Sequence, residues 1–333
     1  MYYSTPTGEL ISEDLTTQIL LRLPVKSLIR FQLVDKSWLK LITSSNFILS
    51  HLKRSIAATG ADQTLIVSRK DDNSISILKL NSDLTVIPVG LPYSISQFNF
   101  KPHFTIVGSH NGVVCVSVTK CPKEIAVGYD LIEYASYEIE NRTIYIWNPA
   151  TKRSELIRPH TICYNLKSVC IGFGYDPVDD AYMIVRLVSL WNSPLLCAEV
   201  YSTKTNDWRA VETRPYDYPQ YDAFDVCVSG FICCTVSKPK KFKHKIRLWT
   251  LDDVACLRDD GLDATWTLML NIRVDFPLWG IYGHFGSGEL LLNVEEGMWI
   301  LYDFEKHDSR EIPLSIVDMR QIFAYDESLV SWT

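Results

Sequence analysis

The alternation of apolar and polar residues changes period once along this chain, and the change falls between Ser55 and Gln63. Before it the period is helical. Ser12 precedes the acidic pair Glu13 and Asp14, and Leu15, Ile19, Leu20 and Leu23 fall on one helical face, so a helix capped by Ser12 is predicted to run until Pro24 ends it. A second short apolar segment, Val25 to Leu33, presents Leu28, Ile29 and Phe31. A third begins near Lys36 with Trp38, Leu41 and Ile42 on its buried side, and SSNF at 44–47 restarts a last helix through His51 and Leu52. Three or four helices within about 45 residues make a bundle too small to be comfortably stable alone, so this unit needs a partner surface.

After Thr64 the period is that of strands. TLIVS, SISILKL, LTVIPV, FTIVG, GVVCVSV and TIYIW lead a series of short alternating runs that continues to the C-terminus. Five places repeat one design, an apolar strand, a polar turn and at once another strand: ISILKLNSDLTVI, IYIWNPATKRSELI, EVYSTKTNDWRAV, IRLWTLDDVACL and WILYDFEKHDSREI. Each is preceded by strand-like runs that often carry a glycine turn, as in VGSHNGVVCV, VCVSGFICC and GHFGSGELLLNV. A period of about 50 residues is that of four-stranded propeller blades. The first unit, at 65–89, lacks its leading strands, and QIFAYDESLVSW at the end lacks following ones. Pairing the two closes a ring and removes open sheet edges. The predicted fold is therefore a small all-α bundle followed by an all-β domain, a β-propeller of five four-stranded blades (six being the alternative count) closed by the C-terminal strands. A large β-sandwich, the competing architecture, does not explain a repeat that begins short and ends with the missing piece.

Charge and composition narrow the function. Acidic residues number 39 against 33 basic, a net charge of −6, so no global positive field gathers a phosphate backbone and nucleic acid is not an expected partner. MYYSTPTGEL lacks the basic and apolar regions of a secretory signal, and no apolar run approaches the roughly 20 residues of a bilayer span; a soluble chain, cytoplasmic or nuclear, is expected. The nine cysteines are odd in number and sit mostly in apolar runs, as buried thiols do.

Groups that could carry chemistry have simpler readings. His103, His110, Cys115 and Cys121 match no zinc spacing, and strand alternation sends such residues to opposite faces, as it does Cys233 and Cys234. Asp176, Asp179 and Asp180 occupy a DPVDD turn whose backbone they can satisfy, rather than forming an acid/base pair. Gly172 and Gly174 suit a close-packed turn, and the sequon Asn141-Arg142-Thr143 has no consequence without secretion. There is no Walker or dinucleotide loop, GxSxG, HExxH or CxxC. No catalytic residue, cofactor or metal is expected. Two stretches read as recognition elements. RPYDYPQYDAFD carries Tyr216, Tyr218 and Tyr221, residues suited to binding at modest entropic cost. SKPKKFKHKIR carries Lys240, Lys241 and Lys243, which read as a basic clamp, an import signal or a solvated hairpin loop. YDLIEYASYEIEN at 129–141 expands one repeat and is a further such insertion.

Residues 1–56 resemble an F-box. ISEDLTTQILLRLPVKSLIRFQLVDKSWLKLI has the acidic helix start, the Leu23-Pro24 pair, the VKSL that follows and Lys36-Ser37-Trp38; it departs from the pattern at Ser12 and at Gln32, Leu33 and Asp35. After a linker at 57–63, residues 64–333 resemble the plant F-box-associated interaction domain of type 1, the group of S-locus F-box and F-box-kelch-like proteins. The matching segments are VGSHNGVVCV, IWNPATKR, IGFGYDPVDDAYMIVRL, VYSTKTNDWRAV and YDESLVSW. The resemblance implies a non-catalytic substrate receptor of an SCF-type ubiquitin ligase. Its helical module binds a Skp-type adaptor, and through it cullin and RING subunits; its β-domain holds a protein substrate. Leu15, Ile19, Pro24, Val25, Leu28, Val34 and Trp38 are expected to form the adaptor interface or hold its shape, with Pro24, Val25 and Leu28 uncovered until the partner arrives. The alternatives are an F-box scaffold that does not direct degradation and, from another class, a propeller enzyme with funnel-lining carboxylates and histidines.

Overall fold

A computed structural model describes residues 12–58, 64–69, 74–79, 85–91, 103–119, 142–158, 166–190, 196–212, 226–228, 231–233, 244–251, 266–274, 280–285, 289–295, 298–312 and 319–332. Four helices open the chain: α1 (Glu13–Leu20), α2 (Val25–Phe31), α3 (Lys36–Ile42) and α4 (Ser45–Ala58). Each start has a local cause. Ser12 Oγ accepts from Leu15 N at 3.2 Å, Asp35 Oδ1 from Ser37 N at 2.7 Å, and Ser44 Oγ from Phe47 N at 3.3 Å, satisfying amides that no helical carbonyl can reach. Pro24 caps α2 with φ −62° and ψ 150°, and its missing N–H costs nothing at a helix start. The first helix does not bury one whole apolar face as its period predicts. Leu20 is buried while Leu15 and Ile19 are about half exposed, because a bundle this small has a core too narrow to take the full stripe.

The rest is antiparallel sheet. Four sheets have four strands each. The first joins β20 (Met319–Ala324), β1 (Thr64–Arg69), β2 (Ile75–Lys79) and β3 (Thr85–Val89) in that spatial order. The second is β4 (His103–His110), β5 (Val113–Thr119), β6 (Arg142–Asn148) and β7 (Arg153–Ile157). The third is β8 (Leu166–Asp176), β9 (Ala181–Leu190), β10 (Leu196–Ser202) and β11 (Asp207–Glu212), in which Arg186 faces Glu199 across β9 and β10, the two charges 3.5 Å apart and buried. The fourth is β16 (Gly280–Phe285), β17 (Glu289–Glu295), β18 (Met298–Asp303) and β19 (Asp308–Ile312). Two pairs, β12 (Val226–Val228) with β13 (Phe231–Cys233) and β14 (His244–Leu251) with β15 (Trp266–Val274), lie between the third and fourth. Leu65 sits opposite Ala324 and Val67 opposite Ile322, so the last strand completes the first sheet.

One expected hairpin is different. The strand IRLWTL does not turn back at once through DDVACL; β14 pairs with β15, which begins at Trp266.

Three of the other repeats and the β8–β9 turn share one design. Asn148, Asp176, Ser202 and Asp303 each end a strand, and the side chain of each accepts from the backbone N–H two residues on, at Ala150, Val178, Lys204 and Glu305. Each four-residue turn then closes on a residue with positive φ: Lys152, Asp180, Asn206 and His307. In three of the four, the tyrosine before the capping residue reaches the closing side chain. Tyr175 donates to Asp180, Tyr201 donates to Asn206 Oδ1 at 2.7 Å, and the Tyr302 hydroxyl lies 3.1 Å from His307 Nδ1. Apolar cores fill the spaces between neighbouring sheets. One holds Val107, Ile146, Phe173 and Trp208, a second Ile66, Val114 and Tyr145, and a third Leu78, Leu291 and Ile322.

Candidate functional site

The helices have a core of their own, made of Leu20, Val25, Leu28, Ile42 and Phe47, and one further residue closes it from the far end of the chain, Leu329. Val25 is 2% exposed and Leu28 is fully buried. The expectation that both lie uncovered until a partner arrives is therefore corrected: they are buried within the chain's own helical core, whose cluster also takes in Leu329. Pro24 is exposed at the α1–α2 corner. Trp38 is half-buried, edge-on to Phe31 with ring centroids 5.4 Å apart, and belongs to the packing of the bundle.

What remains open is a different apolar set. Leu15 and Ile19 on α1 and Val34 after α2 are 53%, 46% and 65% exposed. Leu33 and Leu39 join them, Leu33 at 89%. Neither belongs to the expected interface; the signal available was an apolar residue beside the cap Asp35 that falls outside the helical period of α2. Single exposed leucines are ordinary, but these five lie on α1, α3 and the α2–α3 turn of one small module, with Leu49 and Ile56 exposed as well on α4. The surface is framed by fixed charge. Glu13 and Asp14 lie in the first turn of α1, and the Ser37 hydroxyl and N–H bound to Asp35 hold its carboxyl below the usual carboxylate range.

His51 fixes the corner that carries Pro24. It is 3% exposed, its ring stacks on Phe47, and its Nε2 lies 2.8 Å from Leu23 O. A carbonyl only accepts, so Nε2 carries the proton. Nδ1 has no hydrogen-bond partner among the described residues.

The residues weighed for chemistry are dispersed. His110 stacks on Tyr175, and burial pushes its imidazole below its ordinary range; Cys115 is buried in an apolar core. Among the described residues no group of three or more His, Cys, Asp or Glu side chains is placed to hold a metal. Asp176 caps its own turn, Asp179 pairs with Lys204 at 2.9 Å, and Asp180 accepts from Tyr175, so the three carboxylates do not converge. Among the described residues no helix is long and apolar enough to cross a membrane. Tyr216, Tyr218, Tyr221, Lys240, Lys241, Lys243, Cys121 and Cys234 lie outside the described residues.

A family described as the F-box associated beta propeller domain matches residues 93–233. The F-box/kelch-repeat protein At3g23880 of Arabidopsis thaliana is 28% identical over 211 residues, 61% of this chain and 51% of that protein. F-box protein CPR1, also of Arabidopsis thaliana, is 29% identical over 216 residues, 61% of this chain and 45% of its own. The putative F-box protein At1g47790 of the same plant is 22% identical over 303 residues, covering 88% of this chain and 69% of its own. The chain spans about half the length of most of the curated relatives it matches first. Among solved structures, the SapL1 lectin in complex with alpha methyl fucoside aligns over 78% of this chain and 81% of its own, at 12% identity and a TM-score of 0.30, a likeness too weak to extend to fold or ligand. With a helical module followed by a sheet domain of repeated turns, the chain is similar to plant F-box proteins, and residues 93–233 match an F-box associated beta propeller domain.

Proposed function

We propose that this protein is the substrate-receptor subunit of an SCF-type ubiquitin ligase, a non-catalytic adaptor acting in the cytoplasm or nucleus. Its helices dock a Skp-type subunit through Leu15, Ile19, Pro24 and Val34, joined by Leu33 and Leu39, while Val25, Leu28 and Trp38 hold that surface in shape. The observation that carries this reading is that the bundle fills its core from its own chain and still leaves Leu15, Ile19, Leu33, Val34 and Leu39 exposed on α1, α3 and the α2–α3 turn.

The β-domain, on this reading, is a ring of five blades presenting a client. Support comes from neighbouring strands. β4 packs on β8, β8 on β12, β12 on β16, β16 on β20 and β20 on β4, so one strand from each of five units meets the next around a cycle. β12 to β15 supply the fifth blade, with β13 beside β14. The client is bound by connections between strands, with Tyr216, Tyr218 and Tyr221 between β11 and β12 and Lys240, Lys241 and Lys243 between β13 and β14.

Co-purification of the full chain with a Skp-type subunit tests the adaptor half. Val34→Asp and Leu15→Asp abolish capture, and capture by both at the level of the unaltered chain would refute it. Leu28→Asp does not serve as this test, since it charges the core rather than the surface. Client abundance separates a receptor from a scaffold: removal of a receptor raises it, removal of a scaffold leaves it unchanged.

A further inference from the structure

Residues 325–332 have no regular secondary structure, yet they are tied down along their length. Tyr325 N donates to Thr64 O at 2.8 Å, and Ser328 Oγ donates to Asn111 O at 2.5 Å. Asn148 Nδ2 donates to Ser328 O at 3.1 Å and to Val330 O at 2.9 Å. Trp332 Nε1 donates to Glu155 Oε2 at 2.6 Å, under an Arg153 guanidinium 5.0 Å from its ring that also bonds the Ser331 hydroxyl. The β4–β5 turn makes room for the segment: a Cβ on Gly112, at φ +79°, would stand 2.4 Å from Asp326 O.

Extended backbone sends alternate side chains to opposite sides, and here the two sides belong to different modules. Val330 and Trp332 join the core between the second and third sheets. Leu329, just before Val330, enters the helical core, and with Ser331, which lies between Val330 and Trp332, it lines the seam facing Ile29, Ile42 and Ile48 of the helices. The β-domain touches the helices at the same place through Ala150 and Thr151, in the turn that Asn148 caps. Nothing of this kind is needed to fold a propeller, and an adaptor-binding module joined only by residues 57–63 would be free to swing.

We propose that residues 325–332 are a positioning latch: they complete the helical core through Leu329 and fix the direction of the helical module's open apolar surface relative to the β-domain. The latch itself is independent of the receptor reading; its consequence, a fixed geometry between adaptor and client, rests on that reading. Leu329 and Asn148 are positioning residues, with no part in contacting either partner.

Hydrogen exchange and small-angle scattering of the full chain test it without any partner. Leu329→Asp accelerates amide exchange in α2 and α3 by about tenfold or more and enlarges the maximum dimension in solution, while β8 and β9 exchange at the original rate; Leu329→Met restores both. Since Leu329→Asp also charges a core, Asn148→Ala provides a second arm: it lies in β6, outside the helices, and raises exchange in α2 and α3 by releasing the segment. If exchange in α2 and α3 stays within about twofold of the unaltered chain in Asn148→Ala, while residues 325–332 themselves exchange faster, the latch is overturned. Failure of the unaltered chain to capture a Skp-type subunit would sink the receptor reading and leave these measurements unaffected.

Discussion

Asn148→Asp changes one atom type at a fully buried position, and the structure fixes what should follow. Asn148 uses both ends of its amide. Oδ1 accepts from Ala150 N at 2.9 Å and Thr151 N at 3.3 Å, and Nδ2 donates to Ser328 O and Val330 O. Asn148→Ala removes four hydrogen bonds and leaves buried amide and carbonyl groups unmatched, a loss of about 2–4 kcal/mol at net values near 1 kcal/mol per bond. Asp keeps the two turn bonds but sets an anionic oxygen against two carbonyl oxygens. At neutral pH it therefore destabilises more than Ala, although it is the closer match in shape. Protonation supplies one O–H, enough for one of the two carbonyls, so the carboxyl's folded pKa is raised above its unfolded value of about 3.9. The native state then binds more protons than the unfolded state between those values, and unfolding free energy falls as pH rises through that window. Urea denaturation followed by tryptophan fluorescence reads this directly, since Trp147 and Trp332 are both buried. The expected order at about pH 7 is wild type, then Ala, then Asp, with the Asp deficit shrinking toward about pH 5. Equal stability of Asp and wild type at neutral pH, or an Asp deficit that does not vary with pH, would refute the reasoning.

Val34→Asp, at a position 65% exposed, leaves stability within about 0.5 kcal/mol but lowers affinity for the Skp-type subunit by about thirtyfold or more, checked by calorimetry of the purified pair. Leu28→Ala does the opposite at first hand, costing the helical module about 3 kcal/mol, which exchange of the α2 amides reports. Gly112→Ala forces a Cβ against Asp326 O and Ser328 Oγ at positive φ and lowers the denaturation midpoint by the equivalent of about 2 kcal/mol, more than an Ala substitution at the open Gly90. Burial, then the Asp180 carboxylate, pushes the Tyr175 phenol up to about 12; burial, then Glu155, does the same to Tyr201. Both are raised above the ordinary value, so whatever stability they contribute is whole below about pH 10 and is lost as pH rises through about 12. In a tyrosinate absorbance titration, Tyr175→Phe and Tyr201→Phe should each remove one late-titrating phenol while the buried Tyr182 and Tyr325 remain later still.

Much of the local structure was legible because its causes are local. Ser12 starts α1 and Pro24 caps α2 as the sequence implies, although α1 ends at Leu20, short of Pro24, and the polar turns after β6, β10 and β18 are written in NPATK, STKTN and DFEKH. The pairing of β20 with β1 was legible for a global reason, since the first repeat lacked strands that the last could provide. Burial within the bundle was not. Helical period puts Leu15, Ile19 and Leu20 together, but whether a side chain faces core or water depends on what else arrives, and Leu329 arrives from outside the module. Val25 and Leu28 are buried in that core, while Leu33, Val34 and Leu39 are exposed. The fourth repeat misled because an apolar strand followed by Asp252 and Asp253 looks like the other hairpins, while its partner strand waits until Trp266.

The segments that mark the family are also the ones that bind each other. Asn148 of IWNPATKR holds Ser328 and Val330 of YDESLVSW; Asn111 and Gly112 of VGSHNGVVCV accept and accommodate the same Ser328; Tyr182 of IGFGYDPVDDAYMIVRL donates to His110 O at 3.4 Å. Tyr201 and Trp208 of VYSTKTNDWRAV pack on one another and into the core between the second and third sheets. Residues committed in this way to the interior cannot also vary to suit a client, because each change would cost the packing or hydrogen bonds just described. Family resemblance therefore reports the frame and the latch, and specificity is left to positions free of those duties. Exchanging residues 213–225 for the corresponding stretch of a relative should change which client is captured while the denaturation midpoint stays put. Loss of folding in that exchange would place the tyrosines of RPYDYPQYDAFD in the frame instead.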